Sequence, residues 1–113
     1  MAEEERVEWG CGLDIDQIVG RLAELVSEGE AAFAQRHGEA ALGTIREVQA
    51  ALMEQFERTL SYVVLWEQFL KTPHEVADAV ASVVRASVAD DPLLAEWLQA
   101  TWVEYQAQAG GAV

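Results

Sequence analysis

Four things are scarce in this 113-residue sequence, and each shortage excludes something. Cysteine is one of them: Cys11 stands alone, so no disulfide can form within the chain. Glu5, Glu8, Asp14 and Asp16 surround that thiol, whereas an activated thiolate needs a basic neighbourhood or a helix N-terminus. Prolines number two and strand-like alternation between turns is missing, so the expected fold class is all-α. Basic residues are the third shortage, 7 against 20 acids, for a formal net charge of −13. Such a chain repels phosphate backbones and anionic lipid, and neither direct nucleic-acid binding nor membrane binding is expected. Lastly, no run approaches the ~18 apolar residues of a membrane span, and the opening MAEEERVE lacks the apolar core of a signal peptide. With the lone cysteine, this makes the expected location cytoplasmic.

What is present is helix-forming. Residues 1–12 read as a flexible acidic tail, 13–108 as a single helical domain and 109–113 as a frayed C-terminal tail. Asp14 with Gln17 marks the start of the first helix, and Leu13 with Ile18 suits a hydrophobic staple. Ile15, Ile18, Val19, Leu22, Leu25 and Val26 form its apolar stripe. Gly29 is a possible interruption, with Ser27-x-x-Glu30 as a fresh cap, but a continuous helix to His37 is expected. Gly38 to Gly43 is the expected connection, with Ala40, Ala41 and Leu42 as an alternative early turn. Thr72-Pro73-x-Glu75 and Asp91-Pro92 are cap-then-proline starts for two further helices. The arrangement expected is a four-helix bundle-like domain of antiparallel helices.

One long central helix dominates this expectation. Thr44 and Glu47 have the spacing of a capping box, and the pattern continues to Lys71. Ile45, Val48, Leu52, Phe56, Leu60 and Val63 share one face. Then Tyr62, Val63, Val64, Leu65 and Trp66 are apolar in succession, which at about 100° per residue covers every side of a helix. Such a helix would span roughly 40 Å at about 1.5 Å per residue, against a domain diameter of roughly 34 Å. Its apolar end therefore calls for cover from outside. Valines and alanines recur in the third helix, where only Asp78, Ser82 and Arg85 make a polar strip.

Chemistry-bearing motifs are sparse. Glu54-x-x-Glu57 followed by Glu75-x-x-Asp78 resembles the signature of the all-α nucleotide pyrophosphatases, the MazG-like family, and EVADAV is similar too. The resemblance implies a magnesium ion held by those carboxylates and hydrolysis of a nucleoside triphosphate. It covers residues 54–78 alone, and Met53 stands where the family has its first glutamate. Along an unbroken helix Glu57 would lie roughly 18 Å from the point facing Glu75, so a shared ion requires a break. Neither His37 nor His74 follows a glutamate by three residues, as a di-iron bundle requires, and both read as helix-end surface residues. No cofactor or metal is expected, and no enzyme.

The function these features favour is protein–protein interaction: an adaptor, assembly or accessory factor that self-associates, expected to form a homodimer. The candidate surface is Tyr62, Leu65, Trp66 and Phe69, supported by Trp97 and Trp102, although core packing is the ordinary fate of such aromatics. An alternative is an acidic inhibitor that mimics nucleic-acid charge and blocks a basic cleft. That alternative expects Glu24, Glu28, Glu47, Glu54 and Glu57 on one exposed surface.

Overall fold

Six α-helices follow one another along residues 14–111, the part of the chain that the computed structural model describes. They are α1 (Ile15–Glu28), α2 (Glu30–His37), α3 (Glu39–Phe56), α4 (Leu60–Lys71), α5 (Pro73–Asp90) and α6 (Pro92–Gly111). No strand occurs among the described residues. The all-α class is borne out, but two of the expected helices are each divided.

The first division is at Gly29, where a continuous helix to His37 was expected. Gly29 adopts φ 95° and ψ 165°, a backbone region open in practice to glycine alone. It ends α1 through its own N–H to Leu25 O at 2.9 Å, and its carbonyl opens α2 by accepting from Phe33 N. Ser27 does not cap the new helix. Gly38 repeats the device with φ 99°, closing α2 on Ala34 O and opening α3 towards Leu42 N. The connection expected at 38–43 is therefore helix from Glu39 onward. Thr44 lies inside α3, so the Thr44–Glu47 capping box is not formed.

The second division falls within the supposed long helix. After Phe56 the bonding degrades to Arg58 N–Gln55 O at 3.3 Å and Thr59 N–Phe56 O at 3.4 Å. Thr59 is extended, at φ −133° and ψ 127°, and α4 begins anew. The physical reason is rephasing. An unbroken helix would carry Leu60 inward beside Phe56; the break expels Leu60 and turns Trp66 and Phe69 into the core. Two aromatic side chains bury about 150–250 Å² each, worth more than one leucine at about 25 cal/mol per Å².

Other boundaries fall where expected. Asp14 Oδ1 accepts from Gln17 N at 3.1 Å, while Leu13 of the supposed staple lies outside the described residues. Asp91 Oδ1 accepts from both Leu93 N and Leu94 N. Pro73 occupies the first turn of α5, but the Thr72 hydroxyl donates back to Gln68 O and does not cap α5. On α5 the buried side is Pro73, Val80, Ala81, Val84 and Val88. Ala79, Ala86 and Ala89 join the polar strip on the outside, so that helix is less enclosed than its composition suggested.

Packing joins α1 to α5, α4 to α5, α3 to α6 and α2 to α3, within extents of 43 × 36 × 22 Å. Ile18, Leu22, Phe33, Ile45, Leu52 and Leu98 are among the fully buried side chains. None of the described helices is long and apolar enough to cross a membrane.

Candidate interaction surfaces

Two aromatic clusters form the interior next to the surfaces of interest. In the first, Phe56, Trp66 and Phe69 contact in sequence at centroid distances of 5.0 and 5.3 Å, with Tyr62 5.9 Å from Phe56. In the second, Trp102 stacks on Tyr105 at 4.7 Å, and Phe33 lies 4.5 Å from the His37 ring. Trp66 and Trp102 bury their indole N–H groups, and Tyr105 its hydroxyl, without a hydrogen-bond partner.

The six candidate residues therefore separate. Trp66, Phe69 and Trp102 belong to the core. Tyr62 and Leu65 are partly buried against it, and Trp97 alone is exposed. A side chain already sealed in the core has no surface to offer a partner, so the apolar surface open to one lies elsewhere. It consists of residues the break in the long helix turned outward and of the far side of α6.

On α4 the outward side carries Leu60, 81% exposed, and Val64, 61% exposed, one turn apart. Glu67 and Lys71 continue that side at helical spacing. Elsewhere on the helix, Leu70 lines with Met53 a groove of about 320 Å³ between α3 and α4, bordered by Arg46, Gln49 and Ala50 and floored by Trp66. On α6 the exposed apolar residues are Leu93, Trp97 and Val103.

The densest polar group sits at the α1–α2 joint. Glu24, with a side chain 11% exposed, pairs with Arg36, with Arg21 at 3.4 Å, and with His37 Nε2 at 3.0 Å. Arg36 also reaches Glu28 at 2.7 Å. Burial pushes the Glu24 carboxyl up, but the hydrogen bonds from His37 and Arg36 outweigh it and hold it below the ordinary glutamate value. Burial raises the Tyr105 hydroxyl, an effect that nearby Arg21 partly offsets. The group clamps two helices across a glycine. His37 is thus half-buried and bonded, contrary to the surface role expected of it.

This pairing also bears on the charge-mimic alternative. Glu24 and Glu28 are engaged by internal bases, so the five named acids do not form one exposed anionic surface. The break that a shared magnesium ion would require does occur, at 57–59. Even so, no three His, Cys, Asp or Glu side chains gather as a metal-ligand set among the described residues. The four carboxylates of the pyrophosphatase resemblance therefore do not gather as a ligand set. No protein family, curated protein or solved structure matches the chain.

Proposed function

We propose that this chain is a helical protein–protein interaction module, an adaptor, assembly or accessory factor, that self-associates through the outward face of α4. The observation that carries the reading is Leu60 and Val64, 81% and 61% exposed on consecutive turns of one helix. Apolar surface held in water this way is stabilised by burial against a partner at about 25 cal/mol per Å². The groove at Met53 and Leu70 opens elsewhere on the same helix and adds further apolar area there.

Charge favours a second copy as the partner. Arg21, Arg36, Arg46 and Arg85 all find carboxylates within the chain. Arg58 and Lys71 make no ion pair among the described residues, and they bracket α4. Glu57 accompanies Arg58 at one end, and Glu67 accompanies Lys71 at the other. An antiparallel pairing centred near Val64 sets the acid of each end against the base of the other. A two-fold interface repeats that match, and the repetition offsets the general repulsion between molecules of charge −13.

The antiparallel bundle belongs to the same proposal. Support comes from Arg85–Asp16 at 3.0 Å and Ser27–His74 at 3.4 Å, which join opposite ends of α1 and α5 as an antiparallel pair would.

Sedimentation equilibrium of the full chain tests the function. A dimer is expected, with Leu60→Glu and Val64→Glu both shifting it to monomer. Lys71→Glu weakens the dimer, and adding Glu57→Lys to it restores association. A wild-type chain that stays monomeric at high concentration overturns the proposal.

A further inference from the structure

The outward side of α6 is a second apolar surface, and we propose that it receives a basic amphipathic helix of another protein. Leu93 is 76% exposed, Val103 51% and Trp97 38%. Leu93, Trp97 and Ala100 follow one another at steps of four and three, and Val103 continues the same side. The opposite side of α6 already supplies Leu98, Trp102 and Tyr105 to the core. The outer apolar residues therefore leave a large part of their surface uncovered by the chain's own packing. A helix that is apolar on both sides is at home buried on both. Tryptophan in the middle of such a stripe is the residue type that dominates binding hot spots.

The charges select the occupant. No lysine, arginine or histidine follows Arg85 in the sequence. The charged residues exposed on α6 are Glu96 and Glu104, and Asp90 and Asp91 lie at its N-terminal end. A second copy docked here would set acid against acid, and an anionic membrane would be repelled in the same way. A helix with leucines on one side and lysines or arginines flanking them meets both the stripe and its acidic border. The face of α4 holds both signs and this one holds a single sign, so the two surfaces suit different partners. The inference is independent of self-association.

The test uses the full chain and a fluorescein-labelled synthetic helix with leucines at helical spacing and lysines beside them, read by anisotropy. Saturable one-to-one binding is expected, weaker at high salt. Trp97→Ala or Leu93→Glu weakens it by about tenfold or more. The pair Glu96→Lys with Glu104→Lys weakens it chiefly at low salt. Val103→Glu repeats the test at another exposed position should Trp97→Ala disturb folding, which circular dichroism checks. Four outcomes overturn the proposal. One is no binding at all, and another is equal binding of a peptide of the same composition with its leucines scattered. The third is binding that Leu60→Glu abolishes and α6 substitutions leave alone. The last is stable adsorption of the chain to phosphatidylserine vesicles that the peptide cannot displace.

Discussion

The Thr44 hydroxyl donates a 2.6 Å hydrogen bond to Gln108 Oε1, across 64 residues of sequence, and so ties α3 to α6. Thr44 is buried, and Gln108 is partly buried near the far end of its helix. A residue whose local sequence suggests a cap thus serves as a long-range tether.

Thr44→Val keeps the shape and removes the donor, leaving the Gln108 amide to water. The expected cost is about 1 kcal/mol, read as a fall of about 4 °C in Tm at this size. Unchanged thermal stability would show that the bond is replaced by hydration at no cost.

Glycine-to-alanine substitutions are expected to act in opposite directions at different positions. Gly29 and Gly38 have positive φ and nothing within 4 Å of an added Cβ, so backbone strain is the whole penalty. Each alanine there costs of order 1–3 kcal/mol. Gly20 and Gly43 lie inside α1 and α3, also with open space around the Cβ position, and alanine gains about 0.5–1 kcal/mol. Urea midpoints of the four single variants check the signs.

Stability should fall in acid through Glu24. Its pKa is depressed on folding, so it contributes stability above the unfolded value, lost as pH falls through the folded one. The window therefore opens near pH ~4.3 and extends downward. Glu24→Gln should destabilise the chain at neutral pH, with the gap to wild type closing as acid protonates Glu24 and both carry a neutral side chain. A gap that stays constant with pH would remove Glu24 as the cause.

Tyr105→Phe deletes a buried hydroxyl that lacks a partner, and the expected result is a gain of about 1 kcal/mol. The alkaline limb should change too. The hydroxyl pKa is raised on folding, so stability is complete below the ordinary tyrosine value of about 10 and lost as pH rises past it. The phenylalanine variant lacks that contribution to the loss. Destabilisation of Tyr105→Phe at neutral pH would mean that the hydroxyl is bonded, by the nearby Arg21 guanidinium or by a water.

Much of the fold was legible wherever one residue decides a boundary. Asp14, Pro73 and Asp91 mark helix starts because a carboxylate or a missing N–H acts within a single turn. Gly38 marks a stop for the same local reason. Thr59 was not legible: no proline or glycine stands there, and the break exists because distant packing favours Trp66 and Phe69 inside over Leu60. The phase of α4 depends on that break, so the excess of apolar residues at 62–66 was readable while the identity of the outward ones was not. Glu24, His37 and Arg36 meet only because Gly29 folds α2 back on α1, and nothing in their spacing announces it. Trp97 was named for its type, and its exposure follows from its position on α6, opposite Leu98 and Trp102.

The unequal seclusion of the indoles gives the protein an optical readout of its own surfaces. Trp66 and Trp102, sealed without a hydrogen-bond partner, should emit at short wavelength and resist iodide. Trp97 should emit further to the red and quench readily. With Trp9 replaced by phenylalanine to clear the background, a partner settling on α6 would silence the quenchable fraction alone, and unfolding would release the other two.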